Sequence, residues 1–213
     1  MSSSRKALSM MRVLLLVVKF DPAIAIDVDP EVYNPSDDSF LMLKTVEVHP
    51  GETLLEMGPG SGIISVHAAK AGAKVTAADV NPYAVECTRR NALKNDTKVE
   101  VVKSDLFENV EGLFDVIVFN PPYLADEATS TSWIERSWTG GKEGSEVAIR
   151  FMEDVWKHLA PNGRVYMILS SLGGLTNILK ASRERFQAEV LEEKHMFFES
   201  MFAYRFVLKS STA

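Results

Sequence analysis

Residues 53–79 read TLLEMGPGSGIISVHAAKAGAKVTAAD, and this stretch decides the fold. Thr53–Met57 is a short, mostly apolar run that ends in a glycine turn, Gly58-Pro59-Gly60-Ser61-Gly62. Ile63–Ala71 then has helical spacing and closes at Gly72, a residue that enters the left-handed conformation freely and so stops helices. Lys74–Asp79 is a second strand-like run. Strand, glycine turn, helix and strand make a crossover unit whose two strands lie parallel.

The same alternation extends outward on both sides. Pro82–Leu93 reads as a helix, with Pro82 suited to its first turn. Lys98–Lys103 reads as a strand. Phe114–Phe119 is a nearly unbroken apolar run, as expected of a central parallel strand. Ala148, Phe151, Met152, Val155 and Leu159 share one helical face. Pro161-Asn162-Gly163 reads as the end of that helix, with the next strand at Arg164–Leu169. Leu175, Ile178, Leu179, Ser182 and Phe186 repeat the helical spacing. Ala188–His195 and Met201–Leu208 have no helix between them, so they are expected to pair antiparallel. Toward the N-terminus, Ser36-Asp37-Asp38-Ser39 supplies acceptors for the start of a helix at Phe40. Residues 20–35 hold Pro22, Pro30 and Pro35 and read as irregular, Val13–Val18 can form a strand, and Met1–Ser9 reads as a polar leader. The expectation is α/β: a doubly wound, mostly parallel seven-stranded sheet with a C-terminal antiparallel hairpin. Residues 1–30 are expected to be a leader and irregular segment, and residues 31–213 a single domain.

Composition narrows the function classes. The chain has 213 residues, of which 46% are hydrophobic and 24% charged, so disordered and low-complexity classes are excluded. A net charge of −6 counts against a broad nucleic-acid surface. Cys87 is the sole cysteine, which fits a reducing cytoplasm, and its place within a helix suggests an inert packed thiol. The four histidines show no metal-ligand spacing, so no metal is expected. Val13–Val18 is far shorter than a membrane span and is flanked by Arg12 and Lys19, so neither a signal peptide nor a membrane anchor is expected.

In a doubly wound sheet, ligands bind outside the carboxyl ends of the strands. The first turn reads G-x-G-x-G, not the G-x-G-x-x-G of dinucleotide sites, and Glu56 stands before it. A carboxylate there suits a cationic, phosphate-free ligand such as S-adenosylmethionine, although glycines also serve plain strand-to-helix turns. Asp79 lies where a carboxylate holds a ribose diol, and it can equally cap the next helix. Asp105, with Leu106, can meet an adenine amine, or it can simply form a turn. The most specific turn is Asn120-Pro121-Pro122-Tyr123. Its two prolines remove two N–H donors. That leaves the Asn120 side-chain oxygen and the Pro121 carbonyl as paired acceptors for a planar NH2 group, with Tyr123 positioned to stack beside it.

These stretches carry a resemblance. Tyr33-Asn34-Pro35-Ser36-Asp37-Asp38-Ser39-Phe40-Leu41, Glu56–Gly62, Asn120–Tyr123 and Trp138-Thr139-Gly140-Gly141-Lys142-Glu143-Gly144 together resemble class I S-adenosylmethionine-dependent methyltransferases of the HemK family. The resemblance covers roughly Tyr33 to Leu208 and is to the short eukaryotic and archaeal branch. That branch methylates the glutamine of the GGQ motif in class I peptide-release factors. Asp37 stands where Glu is usual, Ser39 where Thr is usual, and Pro59 lies within the glycine loop. The resemblance implies that Ser39, Glu56, Gly58, Gly60, Gly62, Asp79, Asp105, Leu106 and Asn120 hold S-adenosylmethionine. It implies that Asn120, Pro121 and Tyr123 are catalytic and that Pro122, Trp138, Gly140 and Gly141 join them in holding the substrate. It also implies a small zinc-binding activator subunit as partner.

Competing readings keep parts of this pattern. The same acceptor pair fits an exocyclic amine of adenine or guanine, or, less well, a lysine. A nicotinamide-dependent oxidoreductase shares the Asp79 argument but leaves the Asn-Pro-Pro-Tyr turn unexplained. A non-catalytic scaffold retains every motif. Phe197, Phe198 and Phe202 read as hairpin packing, with any exposed remainder open to a partner.

Overall fold

The computed structural model describes residues 16–18, 20–125 and 132–210. The polar leader at Met1–Ser9 lies outside the described residues. β1 (Leu16–Val17) pairs antiparallel with β2 (Glu47–Val48), and between them in the chain lies α1 (Asp37–Thr45). The crossover unit follows as β3 (Thr53–Met57), α2 (Ile63–Lys70) and β4 (Lys74–Asp79). Next come α3 (Pro82–Lys94), β5 (Val99–Lys103) and β6 (Phe114–Phe119). The second half contains α4 (Trp133–Arg136), α5 (Glu146–Asp154), β7 (Leu159–Ser170), α6 (Leu175–Ser182), β8 (Phe186–His195) and β9 (Ser200–Leu208).

The main sheet has seven strands in the order β5-β4-β3-β6-β7-β9-β8. The first five run parallel, and β9 runs antiparallel to both β7 and β8. Strand alternation feeds two cores. Ile117 and Phe119 of β6 join Leu55, Met57, Phe151, Met152 and Met167 under α5 and α6. Val116 and Val118 join Leu54, Leu41, Met42, Ile64 and Ile168 under α1 and α2. Because β3 and β6 are buried on both faces, their sequences are apolar runs rather than alternating ones. The chain winds outward from β3 through β4 to β5 and then returns to β6. The carboxyl ends of β3 and β6 therefore flank the topological switch point, where such sheets hold ligands.

Two boundaries differ from the sequence reading. The helix shared by Ala148 and Leu159 ends at Asp154, followed by a 3-10 turn over Val155–His158. Pro161-Asn162-Gly163 does not separate helix from strand but lies within β7. Leu159 already pairs with Phe114, and the register then shifts before Arg164 meets Val116. Asn162 at φ +64 absorbs this bulge, a conformation that Asn tolerates better than most residues.

From Phe20 onward, the irregular segment expected over residues 1–30 is held against the domain as a strap. Two asparagines of α3 and its C-terminus hold the strap as a neighbouring strand would. Asn91 Oδ1 accepts from Asp27 N at 3.0 Å, and its Nδ2 donates to Asp27 O at 2.7 Å and Ser61 O at 2.8 Å. Asn95 repeats the pattern on Ala25 at 3.0 and 2.8 Å. Cys87 is buried beneath and donates to Asp27 O, matching the packed-thiol reading. Asn91→Ala would remove three hydrogen bonds to the backbone, leaving Asp27 N and Ser61 O without that partner and Asp27 O with only the Cys87 thiol among the described residues. Its expected cost is about 2–4 kcal/mol in urea unfolding, against under ~1 kcal/mol for exposed Asn109→Ala.

Candidate functional site

The ends of β3, β4 and β6 open into a cleft of about 460 Å³. Its lining includes Ser39, Glu56, Gly58, Gly60, Asp79, Asp105, Leu106, Asn120, Pro121, Pro122, Tyr123 and Trp138. These residues are far apart in sequence, and the parallel sheet delivers them to one edge. Gly62, Gly140 and Gly141 are not in the lining. Gly62, at φ +78, packs on α3 so closely that a Cβ would lie 2.8 Å from Thr88 Cγ2. At Gly140 a Cβ would stand 2.5 Å from Pro122 O and 2.3 Å from Gly144 O. Gly141 abuts the Glu146 side chain. These three glycines pack closely against neighbouring backbone and side chains outside that lining.

The best-defined contact in the cleft joins α1 to the turn after β6. Asp38, 3% exposed, accepts from Asn120 Nδ2 at 2.9 Å and from Ser39 N at 2.6 Å. A carboxylate accepts hydrogen bonds, so the amide nitrogen of Asn120 faces Asp38 and Oδ1 faces away. Among the described residues, Asn120 Oδ1 is buried with no partner. An unpaired buried acceptor costs about 1–3 kcal/mol and marks a place where a donor belongs. Tyr33 also hydrogen-bonds Asp38, and burial with the neighbouring Asp38 charge pushes its phenol up to about 12. Burial raises the Tyr123 phenol as well, with Glu199 and Asp38 adding to the shift. Both tyrosines are therefore neutral at physiological pH and do not serve as bases.

The other side of the cleft is acidic. Glu56 accepts from Ser65 N at 2.7 Å and from the Ser65 hydroxyl. Asp79 accepts from Gly60 N at 3.2 Å and Asn81 N at 2.9 Å. The capping of α3 belongs to Asn81, whose side chain accepts from Tyr83 N at 2.9 Å, so Asp79 is not needed for it. Asp105 Oδ2 meets Arg150 at 3.1 Å, an exposed pair of small energetic weight. Leu106 holds φ +46, an uncommon conformation for a branched side chain, with its carbonyl accepting from the Ser104 hydroxyl at 2.7 Å.

The wall opposite comes from residues 132–140. Tyr123 N and Leu124 N both donate to Trp138 O, and Gly140 N donates to Leu124 O at 2.9 Å. Trp138 is thereby laced to the Asn-Pro-Pro-Tyr turn. Trp133 and Arg136 line the mouth, the guanidinium 5.0 Å from the indole centroid, and Trp133 N donates to strap residue Glu31 at 2.9 Å. The sequence reading did not single out Asp38, Tyr33, Trp133 or Arg136 as site residues. Asp38 gave a partial signal, as an acid beside Ser39. The short helix carrying Trp133 and Arg136 gave no periodic signal.

Burial pushes Glu56 up to about 8 against the lowering hydrogen bonds from Ser65, with Asp79 raising it further. Burial likewise pushes Asp79 up to about 6. A carboxyl with a raised value favours folding while protonated. The Glu56 contribution is thus complete below its ordinary 4.5 and is lost as pH rises through about 8. In thermal melts between about pH 6 and 9, the wild-type Tm is expected to fall more steeply than that of Glu56→Gln, and parallel curves would contradict this.

A family model described as the methyltransferase small domain matches residues 34–198. A Methanocaldococcus jannaschii protein, named provisionally as a protein N5-glutamine methyltransferase, is 42% identical over 154 residues, spanning 71% of this chain and 78% of that one. Methyltransferase HEMK2 of Mus musculus is 33% identical over 169 residues, spanning 73% and 79%. A chain of the E. cuniculi Mtq2-Trm112 complex, described as responsible for methylating the eRF1 termination factor, matches with a TM-score of 0.65 at 22% identity. That match covers 84% of this chain and 99% of the other, and is a likeness of fold. The matched span runs from the α1 motif, through the glycine turn and the Asn-Pro-Pro-Tyr turn, to the final hairpin, and the chain belongs to the HemK family of class I methyltransferases.

Proposed function

We propose that this protein transfers a methyl group from S-adenosylmethionine to the side-chain amide nitrogen of a glutamine, with a class I peptide-release factor as the acceptor protein. The observation that carries this reading is the buried, unpartnered Asn120 Oδ1 beside an amide nitrogen already committed to Asp38. A primary amide presents two N–H groups and needs two acceptors. Asn120 Oδ1 and the Pro121 carbonyl are the pair this turn offers.

The cleft suits the cofactor. Its volume falls within the range of small-molecule sites. Glu56 and Asp79 are held partly protonated by burial, and a bound cation would return both to the ionised form. Ser39, Glu56 and Gly58 would border the amino-acid portion, Asp79 the ribose, and Asp105 with Leu106 the adenine. When bound, S-adenosylmethionine supplies an electrophilic methyl on a sulfonium.

The protein's own part is to orient and polarise. An amide nitrogen is a weak nucleophile because its lone pair is delocalised into the carbonyl. Hydrogen bonds from both N–H groups to fixed acceptors shift electron density to nitrogen and strengthen as positive charge develops there. Asp38 keeps Asn120 from flipping its amide and offering a donor instead. Tyr123 and Trp138 flank the acceptor and restrict water. The proton leaves after transfer, when the nitrogen is acidic, which is consistent with neutral tyrosines at the site.

Relatives named as glutamine methyltransferases support the choice of acceptor, and the net charge of −6 weighs against a nucleic-acid one. The activator subunit implied by family resemblance enters as a second assay component. With radiolabelled S-adenosylmethionine, label is expected in the release factor and not in RNA or DNA, with and without the subunit compared. Label confined to nucleic acid would overturn the glutamine reading. Asn120→Ala is expected to leave cofactor affinity within a few-fold and to remove most turnover. Asp38→Asn presents an amide that can capture Asn120 Oδ1, so kcat is expected to fall by about 10²–10³ with a much smaller change in cofactor affinity.

A further inference from the structure

The β8–β9 turn carries an aromatic pair that the fold leaves in solvent. Phe197 is 93% exposed and Phe198 is 86% exposed, with their rings edge-to-face at 4.8 Å. Met196 beside them and Leu172 on the loop after β7 are exposed as well. The hairpin-packing expectation thus holds for Phe202, which packs against the core, and fails for Phe197 and Phe198. Exposed, adjacent aromatics of this kind mark interaction surfaces.

This turn adjoins the substrate side of the cleft. The Ser170 hydroxyl donates to Glu199 at 2.6 Å, Ser171 N donates to Ser200 O at 2.9 Å, and Ser200 N donates to the Ser171 hydroxyl at 3.0 Å. Two residues further on, Gly173 packs on the Asn-Pro-Pro-Tyr turn so tightly that a Cβ would stand 2.6 Å from Tyr123 Cβ. The Glu199 charge is felt at the Tyr123 hydroxyl. The β8–β9 turn is therefore tied to the cleft wall at Tyr123 through residues 170–173. Residues 186–200 carry four glutamates; Glu189 pairs with Arg205 and Glu192 with Lys44, which leaves Glu193 and Glu199 nearest the turn.

We propose that Phe197 and Phe198 dock the methyl-accepting protein, holding an apolar anchor with a basic flank beside the residue that enters the cleft. The proposal rests on the glutamine reading above and adds the surface that recognises the acceptor. Continuity with the cleft selects this occupant: a side chain that reaches Asn120 past Tyr123 brings its own polypeptide over the turn. Glu193 and Glu199, which pair with no lysine or arginine among the described residues, select the basic flank. Phe197 and Phe198 touch none of the reacting groups, so they act on affinity for the acceptor and not on the chemical step.

The test compares wild type with Phe197→Ser/Phe198→Ser on two acceptors, an intact class I release factor and a GGQ-containing peptide too short to reach the turn. The KM for the release factor is expected to rise about tenfold, with kcat, cofactor affinity and the peptide kinetics unchanged. An unchanged KM, or an equal loss on both acceptors, overturns the docking role. A variant that keeps its KM but loses self-association in sedimentation, or loses binding of the activator subunit, assigns the surface to those occupants and overturns it too. A wild type that labels neither acceptor overturns the glutamine reading together with this one.

Discussion

Asp38 and Asn120 lie 82 residues apart and meet at 2.9 Å in the interior. The other parts of the cleft gain their meaning from that contact. A hydrogen bond to a charged group has a net value of about 1.5–3 kcal/mol. At ~1.4 kcal/mol per tenfold, this holds the flipped amide of Asn120 to roughly a tenth to a hundredth of the population. An amide is the side chain most easily presented backwards, since its two ends are nearly the same shape and opposite in polarity. Fixing it requires an acceptor-only partner, and the acceptor must itself be fixed. Asp38 meets both conditions. It stands in the first turn of α1, where a negative charge is favoured by the helix N-terminus, and Ser39 N, the Ser39 hydroxyl and Tyr33 also donate to it.

Parallel strand order explains why such distant residues converge. Glu56 directly precedes the turn after β3, Asp79 ends β4, Asp105 lies just beyond β5, and Asn120 follows β6, all at the carboxyl edge. Side-chain alternation then sorts them. Leu54 and Glu56 point to the same face of β3, so the face that buries Leu54 under α2 also delivers Glu56 to Ser65 of that helix. The cost is a buried carboxyl with a strongly raised pKa. A bound cation would offset that cost by favouring the ionised carboxylate.

Much of this architecture could be read from residues alone, and the physical reasons are local. Phe114–Phe119 is a strand to the residue because both faces are buried and turn residues bound it. The glycine turn announced itself because strand-to-helix turns at a ligand need positive φ. Interactions without a local cause were less legible. Pro161-Asn162-Gly163 has the composition of a helix stop, yet the pull of the β6 ladder keeps it in β7 and the conflict is resolved by a bulge at Asn162. Gly140 and Gly141 look like ligand-approach glycines, but the close partner is Pro122 or Glu146 within the fold. Asp38 reads as a helix-start acceptor, because only tertiary structure brings Asn120 to it. Phe197 and Phe198 obey the usual rule for aromatics only if a partner is counted in the structure.

The strap extends the same logic from the cofactor side of the cleft to its mouth. Asn91 ties Asp27 to Ser61, in the glycine turn, so the strap and that turn share one clamp. A few residues on, Asn81 Nδ2 donates to Glu31 O at 2.9 Å, and the Glu31 carboxylate accepts from Trp133 N. Val32 and Tyr33 then enter the cleft lining, and Tyr33 reaches Asp38. A continuous set of contacts therefore runs from the glycine turn, through the strap, to both the Trp133 wall and the Asp38–Asn120 pair. Since the strap has little regular structure of its own, its order depends on the groups that hold it. Weakening the clamp at Asn91 should loosen acceptor positioning and the mouth of the cleft together, although Asn91 touches neither.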